Sequence, residues 1–314
     1  MTMTTTCDCV LFDIDGVLVD IRKSYNATIK RTVEYMLKFI TGRSFRTLVT
    51  DQIILKFRQS GGFNNDTDTS YAITLAILAN PPKNILQGRR FLSKVAENAD
   101  ESGYVSVEEF LALYDINKWK KMLIYPATVK DSMVARVFDE IFYGPELFRK
   151  QDHLEPKYQT TGRPLIHNDK LTVTARTMKK LNKMFKGNLA IVSGRSKLAA
   201  EYSLRSMIKY FNSDACVFLE DEKRAYAKPH PFAIQHAMRV MNAKTAIYAG
   251  DSAEDLLMAR QAEKTVGVKI VFVGIYGNSP EPDKTIHKFK QENVKAIIKS
   301  VNQLPNIINK VNKE

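Results

Sequence analysis

The run Val10-Leu11-Phe12-Asp13-Ile14-Asp15-Gly16-Val17-Leu18-Val19-Asp20 constrains this chain more than any other feature. Apolar residues come first, then two carboxylates two positions apart, then a glycine. Such a run is a buried strand that breaks open and presents two acids at its carboxyl end. Open α/β sheets carry their chemistry at that edge. One carboxylate there can serve as nucleophile and metal ligand while its neighbour carries a proton.

The rest of the chain alternates in character. Cys9–Asp13 is expected as the first strand. Ser24 is placed to cap a helix carrying Ile29, Val33, Met36, Leu37 and Ile40 on one face, ending at Gly42. From there to about residue 165 there is no convincing buried strand. Amphipathic patterns run over Gln52–Gln59, Ser70–Leu78, Gly88–Ala96, Val107–Leu113 and Thr128–Phe142. Breakers at Gly61-Gly62, Pro81-Pro82, Gly103, Pro126 and Gly144-Pro145 separate them. After Pro164 strands and helices alternate. The expected order is helix Leu171–Phe185, strand Asn188–Val192, helix Ser196–Ser203, strand Ala215–Leu219 and helix Pro231–Val240, followed by strand Thr245–Ala249, helix Ser252–Ala262 and strand Lys269–Val273. That alternation predicts a parallel, doubly wound sheet to which the first strand belongs, with the helical region inserted. The basic tail beyond Gly277 is expected to be partly helical over Asn293–Ile298.

Of the 314 residues, 44% are hydrophobic and 10% aromatic, enough for about two domains with real cores. No stretch is long enough to span a bilayer and no secretory signal is visible, which predicts a cytoplasmic protein with no membrane partner. Cys7, Cys9 and Cys216 form no disulfide framework and no zinc set. His153, His167, His230, His236 and His287 lack zinc-ligand spacing too. The net charge of +13 would steer anions such as phosphate esters toward the protein. The lysines are dispersed and no nucleic-acid-binding motif accompanies them, so a solvated basic surface is favoured over a nucleic-acid partner.

Each strand of the expected sheet ends in a polar group. The first gives Asp13 and Asp15, a later one Ser193-Gly194, and another Gly250-Asp251 with Asp255 one helical turn on. Lys228-Pro229-His230-Pro231 opens the helix near 231. Together these suit phosphoryl transfer to a carboxylate. Asp13 would attack phosphorus and Asp15 would protonate the leaving alcohol, then activate water. Ser193 and the Gly194 amide would hydrogen-bond phosphate oxygens, and Lys228 would clamp the phosphate. Mg²⁺ would draw on an oxygen set of Asp13, Asp15 (through its carbonyl), Asp251 and Asp255, the last better placed to hold ligands or Lys228 than to bind directly.

The ordered set Asp13-Ile14-Asp15-Gly16-Val17-Leu18, Ile191-Val192-Ser193-Gly194-Arg195, Ala227-Lys228-Pro229-His230-Pro231 and Tyr248-Ala249-Gly250-Asp251-Ser252-Ala253-Glu254-Asp255 resembles the haloacid dehalogenase superfamily. The Lys-Pro-x-Pro form is similar to its phosphoglycolate-phosphatase-type subfamily. The resemblance implies an α/β fold: a doubly wound, Rossmann-like core (1–20 and 165–314) with an inserted, mainly α-helical cap (21–164). It implies the same roles for the residues just named. Asp15, Asp251 and Asp255 separate a phosphatase from a true dehalogenase, which lacks this acid set.

The insertion, about 145 residues, is roughly twice the size expected of such a cap. Within it, Gly61-Gly62-Phe63-Asn64-Asn65-Asp66-Thr67-Asp68 resembles a segment in a branch of these hydrolases linked by name to histidine biosynthesis. Asn64 and Asn65 could read hydroxyls or an amine on a leaving group. Alternatively the segment is a loop in which Asp66 or Thr67 caps a helix over Asp68–Leu78. The leading expectation is a Mg²⁺-dependent phosphomonoesterase, monomer or homodimer, for a small ester such as a sugar phosphate, phosphoglycolate or histidinol phosphate. A phosphomutase, a catalytically retired binding protein and a nucleic-acid-associated protein are the alternatives.

Overall fold

The computed structural model describes residues 7–63, 65–265 and 267–311. The chain opens with β1 (Cys9–Phe12) and a short β2 (Val19–Asp20), then passes into helices α1 (Tyr25–Thr41), α2 (Asp51–Gln59), α3 (Asp66–Ala79), α4 (Ile85–Glu97), α5 (Tyr104–Phe110), α6 (Asn117–Leu123) and α7 (Met133–Asp152). It continues through β3 (Lys170–Leu171), α8 (Ala175–Met184), β4 (Leu189–Ser193), α9 (Lys197–Leu204), β5 (Val217–Phe218) and α10 (Phe232–Val240). It ends with β6 (Thr245–Gly250), α11 (Ala253–Ala262), β7 (Lys269–Ile275), α12 (Pro282–Gln291), β8 (Ala296–Ile298) and α13 (Leu304–Val311). Two compact units result: residues 1–21 with 169–314, and residues 22–168.

The first unit is a six-stranded sheet in the order β5-β4-β1-β6-β7-β8, every pair parallel. β1 lies between β4 and β6, so the strand order reverses beside it. The carboxyl end of β1 is therefore the switch point where such sheets form a crevice. The strand alternates its side chains between two cores. Cys9 and Leu11 join Ala190, Val192, Ala246 and Tyr248 on one face, while Val10 and Phe12 join Leu189, Ile191, Ile247 and Ala249 on the other. A strand buried on both faces must be apolar throughout, which is why its signal in the sequence is a run rather than an alternation. Cys9 is buried and Cys7 half-buried, and neither is in a disulfide.

The second unit is helical, as the breaker pattern predicts, with differences in detail. Ser24 does not cap α1: it takes helical angles and its side chain makes no cap bond, while its carbonyl accepts from the Thr28 amide at 2.9 Å. α1 does stop at Gly42, in the left-handed conformation at φ 71°. α3 is not amphipathic. Every residue from Asp68 to Leu78 is buried, because Tyr71, Ala72, Ile73, Leu75, Ala76, Ile77 and Leu78 leave no polar face, and a helix apolar all round belongs in a centre. Its cap is Asn65, one or two positions before the expected Asp66 or Thr67. α6 has no counterpart in the expected pattern. α7 starts at Met133 on the Ser132 cap and runs to Asp152, broken in conformation at Gly144 (φ 68°, ψ 171°) where the Gly-Pro pair stands.

In the first unit, Leu171 lies in β3, so the helix expected from that residue begins at Ala175. The tail corrects a further expectation. Asn293–Ile298 is not helical; Ala296–Ile298 forms β8 parallel to β7, and the helices lie on either side. The β-branched pair Ile297-Ile298 suits a strand, and Pro282 is pre-set for the first turn of α12. No helix among the described residues is long and apolar enough to cross a membrane.

Candidate active site

The site begins where β1 stops. The Asp13 amide still donates to the Ala249 carbonyl at 3.0 Å, continuing the ladder to β6. The chain then folds back on itself. The single carbonyl of Ile14 accepts from the amides of Val17 (3.2 Å), Leu18 (2.8 Å) and Val19 (2.9 Å). This tight loop holds Asp13 and Asp15 at fixed positions. Gly16 makes it possible at φ 75°, and a Cβ there would lie 1.8 Å from Asp251 Oδ2. The position is thus closed to a side chain both by backbone angle and by space.

β6 delivers the second group of acids. Gly250 closes the strand, Ser252 caps α11, and Asp255 completes a capping box. Asp255 is fully buried and saturated with donors. Its Oδ1 accepts from Lys228 Nζ and from the Tyr248 hydroxyl, each at 2.6 Å. Its Oδ2 accepts from the Asp251 amide (3.1 Å), the Ser252 amide (3.2 Å) and the Ser252 hydroxyl (2.8 Å). An acid so occupied works by holding Lys228 and the start of α11.

Lys228 stands between two carboxylates, 2.6 Å from Asp255 Oδ1 and 2.9 Å from Asp13 Oδ1. The loop that carries it is pinned by the ring of Tyr226, stacked on Phe232 at 4.2 Å and tilted against His230 at 5.4 Å. His230 is exposed there, and its Nδ1 accepts from the Phe232 amide at 3.2 Å.

Oxygens of Asp13, Asp251 and Asp255 lie within 4.8 Å of one another. Burial opposes the charge of all three. It pushes Asp13 up to about 7, against the pull of Lys228 and helped by the charges of Asp255 and Asp15. Burial, then Asp255 and Asp13, push Asp251 well above the ordinary carboxylate range. Asp255 alone goes down: burial is outweighed by Lys228 and by the hydrogen bonds of Tyr248 and Ser252. Burial likewise disfavours the Lys228 charge, but Asp13 and Asp255 more than offset it and raise its pKa. Once ionised, three converging carboxylates against one lysine would leave negative charge in excess. An all-oxygen donor set with that excess fits a hard divalent cation such as Mg²⁺, with Asp13 and Asp251 as the carboxylates that would hold it.

Asp15 points elsewhere. Its Oδ1 meets the Nε of Arg195 at 2.8 Å. Arg195 is fully buried, and its second partner is Asp169 Oδ2 at 2.7 Å, with the Ser203 hydroxyl bonded to both. Ser193, also buried, ends β4 beside β1, and its hydroxyl accepts from the Arg195 amide at 3.4 Å. Gly194 is exposed, and nothing lies within 4 Å of where a Cβ would stand.

The structure therefore brings Asp13, Lys228, Asp251 and Asp255 into one cluster, with Asp15 at the next turn and Ser193 on the same sheet edge. Asn65 lies in the helical unit, where its Oδ1 accepts from the Thr67 amide at 2.8 Å as the α3 cap. Asn64 lies outside the described residues. Sequence reasoning assigned no role to Arg195, Asp169 or Tyr248. Arg195 was the most findable, since it follows Ser193-Gly194 directly.

The switch point of the parallel sheet thus gathers an acid pair, a lysine and a buried aspartate cluster. The match to the haloacid dehalogenase-like hydrolase family runs over residues 7–263, and the chain belongs to that family. Among solved structures, phosphatase Tt82 from Thermococcus thioreducens is 23% identical, with a TM-score of 0.59 over 90% of this chain and 98% of its own. A hydrolase from Pseudomonas syringae is 14% identical, with a TM-score of 0.47 over 97% of this chain and 99% of its own. A predicted phosphatase from Clostridium acetobutylicum is 16% identical, with a TM-score of 0.49 over 98% of this chain and 100% of its own. No curated protein matches the chain.

Proposed function

We propose that the protein is a phosphomonoesterase that hydrolyses a small phosphate ester through a phosphorylated Asp13, with Mg²⁺ as its cofactor. The observation that carries this reading is the contact of Asp13 with Lys228 at 2.9 Å inside the aspartate cluster, with a second acid, Asp15, two residues on. An Asp13 oxygen forms a bond to phosphorus as the bond from phosphorus to the ester oxygen breaks. Asp15 gives its proton to the departing alcohol. Asp15 then takes a proton from water, whose oxygen attacks phosphorus and releases Asp13 and inorganic phosphate. Lys228, Ser193 Oγ and the Gly194 amide hold the phosphoryl oxygens. Mg²⁺ held by Asp13 and Asp251 would neutralise charge between nucleophile and phosphate. The name of the Thermococcus neighbour, a phosphatase, agrees with this reading. Sugar phosphates, phosphoglycolate and histidinol phosphate are the first esters to try.

The test is phosphate release from such a panel with Mg²⁺ and with EDTA, by the wild type and Asp13→Asn. Release that needs the metal and disappears in Asp13→Asn is the expected result. Near-normal release by Asp13→Asn would remove Asp13 as nucleophile.

A further inference from the structure

The family match ends at residue 263, yet the chain beyond it returns to the nucleophile loop by two routes. In the first, the turn after β7 carries Asn278, whose Nδ2 donates to the Gly16 carbonyl at 2.9 Å. That turn is itself fixed. The Tyr276 amide donates to the Ile298 carbonyl at 3.1 Å and the Gly277 amide to the Lys299 carbonyl at 2.9 Å. A Cβ at Gly277 would stand 2.2 Å from the Lys299 carbonyl oxygen, so the turn lies backbone to backbone against the end of β8.

The second route starts from Asn302, just past β8. Its Oδ1 accepts from the Thr174 amide (3.0 Å) and the Thr177 hydroxyl (2.7 Å), and its Nδ2 donates to the Thr172 carbonyl (2.9 Å). Thr172 in turn reaches the nucleophile loop. Its amide donates to the Leu18 carbonyl at 2.9 Å and its hydroxyl to the Val17 carbonyl at 3.1 Å. The Gly16 carbonyl is thus met by a donor of the tail, and the Val17 and Leu18 carbonyls by Thr172, whose own carbonyl accepts from Asn302. Gly16 is also the residue against which the Asp251 carboxylate rests.

We propose that the segment from Tyr276 to Asn302 braces the Asp13–Val19 loop, and that Asn278 is a positioning residue which, through Gly16, sets the place of Asp251 relative to Asp13. This rests on Asp13 and Asp251 being the working carboxylates of the site. Completing the sheet would not by itself require it. β8 and α12 pack through Ile297 and Phe289 on one core, whereas the side-chain amide of Asn278 donates to one carbonyl of one loop.

The experiment compares the full-length wild type with Asn278→Ala and with Asn278→Asp, which keeps the shape and loses the donor. Hydrogen exchange is followed at residues 14–19 and, as reference, at residues 189–193. Mn²⁺ binding is measured by calorimetry, and kcat and KM on p-nitrophenyl phosphate with Mg²⁺. Losing one hydrogen bond should speed exchange of the loop about fivefold and leave the reference strand unchanged. Mn²⁺ affinity and kcat should fall several-fold with KM held. Should Asn278→Ala fail to fold by circular dichroism, Asn278→Asp decides alone. Unchanged loop exchange and Mn²⁺ affinity in the folded variants would overturn the brace, even if the wild type hydrolyses esters. Altered exchange and Mn²⁺ affinity in a protein that releases no phosphate from any ester would keep the brace and discard the phosphatase reading.

Discussion

Arg195 Nε lies 2.8 Å from Asp15 Oδ1, and the guanidinium that makes this contact has no exposed surface. The same group holds Asp169 at 2.7 Å. A buried cation shared by two carboxylates fixes Asp15, the second acid of the Asp13–Val19 loop. Truncating it to Met should cost about 3–5 kcal/mol, because two acids lose their partner. Arg195→Lys keeps the charge but lacks the fork that spans both acids. It should fold with a smaller loss and turn over several-fold more slowly. Urea denaturation alongside kcat separates the two effects.

Gly16→Ala places a methyl group where Asp251 Oδ2 now sits, at 1.8 Å, on a backbone angle of 75°. The protein should lose stability as well, since Gly16 is buried and its backbone angle disfavours a side chain, and in the folded variant Mg²⁺ half-saturation should rise at least tenfold. A metal titration of phosphate release reads this directly. Normal metal dependence would mean that Asp251 does not need its present place.

Mg²⁺ should raise the melting temperature more at pH 8 than at pH 5. Burial holds Asp13 at about 7, so the metal-free native state keeps a proton that the unfolded carboxyl has already lost. Native stability from this group therefore falls as pH rises from about 4 toward 7. A cation on the same oxygens must displace that proton, and binds better once it has gone. At a hundredfold excess over its dissociation constant it adds about 2.7 kcal/mol. Paired melts in Mg²⁺ and EDTA across pH test the sign.

Asp152, at the end of α7, gives a second pH window. Burial pushes it up to about 6, opposed by Arg136 and His153 and aided by Glu140. A folded value above the unfolded one means stability present at low pH and lost as pH climbs from about 4 to 6. Asp152→Asn should therefore stabilise the protein at pH 7–8 by about 1 kcal/mol, after discounting for solvent screening, and have no such effect near pH 4. Melting curves at the two pH values check it.

The groups visible in the sequence are those whose neighbours along the chain explain them. Asp13, Ser193 and Asp251 each end an apolar run, and Lys228 stands before a proline pair. Arg195 and Asp169 meet only because the fold brings β3 against α9, and no local pattern announces that meeting. Asn278 has no periodicity at all; its meaning comes from a carbonyl far back in the chain. Ala296–Ile298 was misassigned because three apolar residues have no decisive period, and only the edge of β7 makes them a strand. At Asn65 the competition was among adjacent polar residues, any of which can cap a helix.

The strand order carries a consequence for synthesis. β1 is central and fully buried, yet its partners on either side begin at Leu189 and Thr245. At the ribosome, Cys9–Phe12 emerges first and waits for roughly 180 residues of further translation, on the order of 10–35 s at ordinary rates. The helical unit is complete within that interval. It therefore folds while β1 is still an unpaired apolar segment, which makes the nascent chain, rather than the finished enzyme, the state most exposed to misassembly.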